Sequence, residues 1–242
     1  YFEQKNIKKK IRPINRLDKD TSGIVIFAKN EYIQEFLVKE MKKNTFFKEY
    51  IAVCEGIFES KIGTINLPIG RKENSIIERC VCSDGDIAIT HYNVLKSLKN
   101  TSVVHVTLET GRTHQIRVHL SNIGHPILGD TLYGNPSSVI NRQALHAYKI
   151  KFAHPISNKP SIYIANIEES VTPFKNAYMK YKIPTTVGDN FLNNKLKTNT
   201  AISSIIATKA NPPDSASLKH NPLEYVYHAT IAVPNNPKNI QK

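Results

Sequence analysis

Short apolar runs of strand length, rather than long helical stripes, limit what this chain can fold into. Ile24–Ala28 is an unbroken apolar run behind Gly23, the pattern of a strand buried on both faces. Phe46 to Val53 reads as another strand, ended by Gly56. Val104, Val106 and Leu108 alternate with His105 and Thr107, so that strand has one wet face. Further strands are expected at 86–95, 143–152 and 161–167. Helical spacing occurs twice. Ile33, Phe36, Leu37 and Met41 recur behind Asn30, a good N-cap, with Lys42 and Lys43 suited to the helix C-terminus. Ile116, Leu120 and Ile123 share a face of a second helix, with Thr113 expected to cap it and Gly124 to end it. Strands outnumber helices and do not alternate with them regularly. The expected fold is α+β, a largely antiparallel sheet flanked by helices and loops.

The 242 residues suffice for a substantial core. No stretch approaches the roughly 18 apolar residues of a membrane span, and no leader pattern stands at the front. The net charge of +13 points to a polyanionic partner, with nucleic acid ahead of a merely solvated lysine surface. Three cysteines, Cys54, Cys80 and Cys82, argue against a disulfide framework and for a reducing compartment. They have no second Cys pair or His at ligand spacing, so no metal is expected. After about residue 181 the composition shifts. Residues 182–242 hold six of the thirteen prolines, one glycine, and seven Lys against three acids. We expect a catalytic body over 1–181 and a flexible basic tail over 182–242 that adds salt-sensitive affinity for a polyanion.

Three segments carry chemistry. In Asn15-Arg16-Leu17-Asp18-Lys19-Asp20-Thr21-Ser22-Gly23, Arg16 and Asp18 flank Leu17. In an extended stretch both polar groups point one way while Leu17 anchors in the core. A lone Asp here would ordinarily be a turn former, but a nearby guanidinium keeps a carboxylate ionised and positioned. Thr21, Ser22 and Gly23 make a tight turn suited to holding a loop or a phosphate. Lys48-Glu49-Tyr50 lies on a strand, where Tyr50 by itself reads as an ordinary packed tyrosine. Gly111-Arg112-Thr113-His114-Gln115-Ile116-Arg117-Val118-His119 places two Arg and two His at a helix start, a setting that binds anions. The turn Gly124-His125-Pro126-Ile127-Leu128-Gly129-Asp130 is expected to hold that helix against the sheet.

Together these segments resemble the RluA/RluD-type family of RNA pseudouridine synthases. The family's signature is His-Arg-Leu-Asp, two residues, Thr-Ser-Gly, then an apolar run ending Ala-Lys. Residues 15–23 and Ala28-Lys29 match it, with Asn15 in place of the usual His. The Lys-x-Tyr strand, the Gly-Arg-Thr-His-Gln-Ile-Arg-Val-His helix and the Gly-His-Pro-Ile-Leu-Gly-Asp turn follow in order. Leu145-His146-Ala147 and Phe152-Ala153-His154-Pro155 fit the last strands, so the resemblance spans about residues 12 to 180.

The resemblance implies a pseudouridine synthase fold and a reaction that breaks the N1–C1′ bond of uridine, turns the base, and joins C5 to C1′ without metal or cofactor. It assigns Asp18 as the nucleophile or the group acting on the sugar. Arg112 is expected to pair with Asp18, and Tyr50 to hold the uracil and assist loss of the C5 proton. Arg16, Lys19, Thr21, His114 and Arg117 are expected RNA contacts. The partner would be ribosomal or transfer RNA, met by a cytoplasmic monomer. The family's early strands are expected to be missing, since Asp18 lies so near the first residue. Two other classes fit the charge. One is an RNA-binding protein that keeps this fold without turnover. The other is a metal-dependent nuclease or phosphotransferase using Asp18 and His114, which EDTA would silence.

Overall fold

The computed structural model describes residues 6, 8, 10–43 and 45–165, and the backbone of His228–Ala232. The strands are β1 (Arg12–Pro13), β2 (Ser22–Ala28), β3 (Phe47–Glu55), β4 (Ile62–Asn66), β5 (Ile69–Arg71), β6 (Arg79–Val81), β7 (Ile89–Ser97), β8 (Thr101–Leu108), β9 (Leu145–Ala153), β10 (Pro160–Ile164) and β11 (His228–Ala232). The helices are α1 (Glu31–Lys42) and α2 (Gln115–Asn122). Nine strands form one sheet in the order β1-β2-β9-β3-β8-β7-β4, with β10 added to β9 and β11 to β2. Strands β5 and β6 form a separate hairpin. Among the described residues every strand pairing is antiparallel except β2 with β9. The fold is therefore the α+β arrangement that the strand excess implied.

That one parallel contact is short, Ser22 opposite His146 and Gly23 opposite Ala147. It brings the start of β2 against the start of β9. Gly23 has φ +119°, and a Cβ there would lie 2.3 Å from the Ala147 carbonyl oxygen. Only glycine permits both that backbone and that approach.

Two larger apolar clusters hold the sheet to its helices. The first joins β3, β8 and the start of β9 to Ile116 and Leu120 of α2. The second joins Ile24 and Ile26 of β2 to Ile33 and Leu37 of α1, with Phe46 and Phe152 stacked at 5.3 Å. Asn30 caps α1 by accepting the Ile33 N–H at 2.9 Å. The cap expected at Thr113 is instead taken by His114, in the left-handed region at φ 57° and without a side-chain cap bond. Gln115 Oε1 accepts the Arg112 N–H at 2.9 Å and the Thr110 hydroxyl at 2.8 Å, which ties the helix start to the loop before it. Gly124 ends the helix as expected, at φ +83°.

Among the described residues no helix is long and apolar enough to cross a membrane. The tail expected over 182–242 lies outside the described residues, apart from the backbone of β11 on β2.

Buried His146 makes the fold acid-sensitive. Its Nδ1 accepts from Ser22 Oγ at 2.9 Å, and its Nε2–H donates to the Ala165 carbonyl at 3.0 Å. Burial pushes its pKa down to about 4, the Ala165 bond opposing and Arg142 adding to the fall. The unfolded chain takes up this proton near pH 6.5 and the folded chain only near pH 4, so stability drains away as pH falls between them. The loss should reach about 3 kcal/mol. Urea midpoints measured from pH 7 to pH 4 should decline, and His146→Gln should flatten part of that decline. Parallel declines in both proteins would show that His146 is not responsible.

Candidate active site

The loop between β1 and β2 carries Asp18, and it is pinned from both sides. Buried Asn15 is stitched to β2: its Nδ2 donates to the Ile24 carbonyl at 3.0 Å and its Oδ1 accepts the Ile26 N–H at 2.8 Å. Leu17 packs on the first apolar cluster, as the sequence implied. The Thr21 N–H closes a turn onto the Asp18 carbonyl at 3.0 Å, with Asp20 left-handed at φ 65°. Ahead of β9, Gln143 donates to the Lys19 carbonyl and to Thr21 Oγ1, and Arg142 donates to the Asp20 carbonyl at 3.1 Å. These bonds fix the loop's backbone, so the Asp18 side chain is aimed rather than free.

It faces a cleft of about 670 Å3, walled by residues 13–18, the start of β3, and residues 108–116. That volume is within the range of small-molecule sites. Asp18 and Tyr50 both line it. The Tyr50 phenol is pushed well above its ordinary pKa, first by burial and then by the charge of Asp18, so it stays protonated at neutral pH.

The nearest guanidinium to Asp18 is Arg117, whose Nη1 lies 3.8 Å from Asp18 Oδ2. Arg117 is itself clamped by Asp130, Nε to Oδ2 and Nη2 to Oδ1, both at 2.7 Å. Asp130 Oδ1 also accepts the Leu132 and Tyr133 N–H groups at 3.1 and 3.2 Å. The Tyr133 ring lies 5.0 Å from the guanidinium carbon. Burial alone would lower the Arg117 pKa; bonding to Asp130, then the charges of Asp130 and Asp18, raise it instead. Side-chain exposure falls from 17% at Asp18 to 8% at Arg117 and 0% at Asp130. The cleft thus reaches the first carboxylate, while the second is sealed behind the arginine.

The pairing expected between Arg112 and Asp18 is corrected. Arg112 lines the cleft, but its Nε donates to the Ile87 carbonyl at 3.0 Å and its Nη1 lies 3.4 Å from Asp86. It precedes α2 in an exposed loop, whereas Arg117 sits on the buried helix, where residues 115–120 are all enclosed. Arg117, expected as an RNA contact, is buried and held by Asp130, and it is not among the residues that wall the cleft. Thr21 does line the cleft, with its hydroxyl buried and accepting from Gln143 at 3.0 Å. His114 is on the cleft wall with Nδ1 2.7 Å from the Tyr133 hydroxyl, and burial, more than any charge, lowers its pKa. Arg16 is exposed at the cleft, and Lys19 is exposed outside its lining. Asp130 was missed as part of the site. The signal was present in the Gly129-Asp130 turn, an acid placed beside glycine in an otherwise apolar turn.

Among the described residues no group of three or more His, Cys, Asp or Glu could hold a metal ion. Comparison with known proteins gives a consistent picture. The family model described as RNA pseudouridylate synthase matches residues 1–122. An uncharacterized RNA pseudouridine synthase of Bacillus subtilis, YhcT, is 47% identical over 62% of this chain and 50% of its own length. A ribosomal large subunit pseudouridine synthase D of Haemophilus influenzae is 36% identical over 68% of this chain and 55% of its own. The chain thus spans about half the length of these curated relatives. The solved structure of human RNA pseudouridylate synthase domain containing 1 aligns with TM-score 0.58 at 29% identity, over 64% of this chain and 69% of that one. With half of its residues matched by the family model and its fold shared with a solved member, this chain belongs to the RNA pseudouridylate synthase family.

Proposed function

We propose that the protein isomerises specific uridines in RNA to pseudouridine, with Asp18 as the attacking carboxylate. The observation that carries this reading is Asp18 itself, the one carboxylate of the Asp18–Arg117–Asp130 chain that opens to the cleft. The target uridine must leave its stack to enter, at a cost of a few kcal/mol that contacts in the cleft offset. Asp18 attacks C1′ or otherwise acts on the sugar as the N1–C1′ bond breaks. The base turns and C5 bonds to C1′ as any bond from Asp18 to C1′ breaks and returns the free carboxylate; the C5 proton is then lost and N1 gains one. Arg117 holds the carboxylate without consuming it, since Asp130 takes the two short hydrogen bonds.

Tyr50 supports the base with its ring and a neutral hydroxyl. A phenolate base is disfavoured by the same burial that raises its pKa. Arg16 is an exposed cation for the RNA backbone or the everted base. Arg112 keeps a place at the cleft mouth, where its pairing with exposed Asp86 can open toward RNA. Lys19 and His114 are further RNA contacts from the loop and the α2 start. We propose ribosomal or transfer RNA as the substrate class, and a cytoplasmic monomer as the working form. Large-subunit ribosomal RNA is the first to examine, because relatives carry that name.

The test is tritium release from C5-labelled uridine RNA by the purified chain, with pseudouridines mapped in total RNA with and without the intact gene. Release that persists in EDTA and one or more sites lost with the gene are expected. Tight RNA binding without release would leave an RNA-binding protein, and release abolished by EDTA would point to metal chemistry.

A further inference from the structure

Lys48 is the residue of the Lys-x-Tyr strand that the reaction above leaves unused. It stands two positions before Tyr50 on β3, and both side chains line the same cleft as Asp18. It is half-buried, and among the described residues its side chain makes no hydrogen bond or ion pair. The acid beside it in sequence is committed elsewhere: Glu49 binds Lys149 at 2.7 Å and His105 at 2.9 Å, on the other side of the strand. The acid across the cleft, Glu109, pairs with His91 at 2.6 Å. Burial lowers the Lys48 pKa, and no neighbouring carboxylate offsets that fall.

The surroundings keep room for the ammonium. A Cβ at residue 111 would lie 3.0 Å from Lys48 Nζ, tighter than real Cβ contacts ordinarily are, so glycine leaves the lysine its place. A cation held from water with no counter-charge raises the energy of the empty cleft. Whatever enters and brings a negative oxygen recovers that cost. An everted uridine carries no charge on its base, but it carries a phosphodiester on either side.

We infer that Lys48 is a binding residue for the phosphodiester flanking the target nucleotide. It acts inside the cleft, close to the reacting sugar, where Arg16 and Lys19 act from the surface. The ammonium suits this task as a compact charge with three donors. The inference deepens the functional reading above and rests on it for the identity of the nucleotide.

The test measures binding of a fluorescein-labelled nine-residue oligouridylate by the full chain across a salt series. The proteins compared are wild type, Lys48→Met, Lys48→Arg and Gly111→Ala. Losing one phosphate contact on a single strand should reduce the slope of log affinity against log salt by about 0.7. At low salt Lys48→Met should bind about five- to tenfold more weakly. Lys48→Arg should restore most of the slope, and Gly111→Ala, which asks the flexible ammonium to give by only a few tenths of an ångström, should keep a slope close to wild type. An unchanged slope in Lys48→Met overturns the inference, as does failure of the wild type to bind. A fall in turnover with binding and slope intact also overturns it, and assigns Lys48 to the uracil instead. Wild-type binding with the expected slope change but no tritium release would remove the isomerase reading while leaving the phosphate contact standing.

Discussion

Asp18→Asn should abolish isomerisation while RNA affinity stays within a few-fold of wild type. The substitution keeps the size of the side chain and removes the charge proposed to attack. Loss of a nucleophile ordinarily costs on the order of 10^4-fold or more in turnover. Binding is expected to survive because the loop backbone is held by Asn15, Arg142 and Gln143, none of which bonds the Asp18 side chain. The residues proposed to contact phosphate, Arg16, Lys19 and Lys48, are left untouched. Single-turnover tritium release and anisotropy binding on the same RNA separate the two effects. A large loss of affinity, or an unfolded variant, would make Asp18 a structural residue. Turnover within about tenfold of wild type would end its assignment as the attacking group.

Asp130→Asn should damage stability and turnover together, and the two losses should part company in a double variant. Asp130 is sealed from solvent and supplies both short bonds to Arg117. Removing one partner of such a buried pair strands the other charge, at about 3–5 kcal/mol. The stranded Arg117 would also be free to close its 3.8 Å gap to Asp18 and form a tight pair. That would draw charge density from the attacking oxygen, so turnover should fall with little change in RNA affinity. In Arg117→Met with Asp130→Leu both charges are gone, and apolar side chains of similar length can fill the space. Urea denaturation should show that variant recovering much of the stability. Turnover should remain low, because the cation beside Asp18 is missing. If the double variant regained turnover with stability, the arginine would matter to folding alone. If Asp130→Asn left both quantities unchanged, the clamp would carry no weight.

Much of the fold was legible because it is written in local patterns. The Ile24–Ala28 run, the 104–108 alternation and the Asn30 cap with Ile33 and Leu37 behind it each occupy the element expected of them. Short strands escaped notice: β1, β4, β5 and β6 have two to five residues, too few for a period to declare itself. The site was legible in its parts, Asp18, Tyr50 and the arginine-bearing helix, because those residues form ordered motifs along the chain.

The sequence by itself determined that a strand-rich α+β sheet carries Asp18, Tyr50 and the arginine-bearing helix, but it left Asp130 out of the site. It could not determine which arginine stands beside Asp18. Arg112 and Arg117 are five residues apart, and the choice depends on where α2 begins and which face it buries. That follows from Asp130 arriving through a turn thirteen residues later to claim Arg117. Local periodicity records the tendency of each segment to form its element. Charge pairing across the core is decided only when those elements pack, because the partners come from separate parts of the chain and burial makes each pair compulsory.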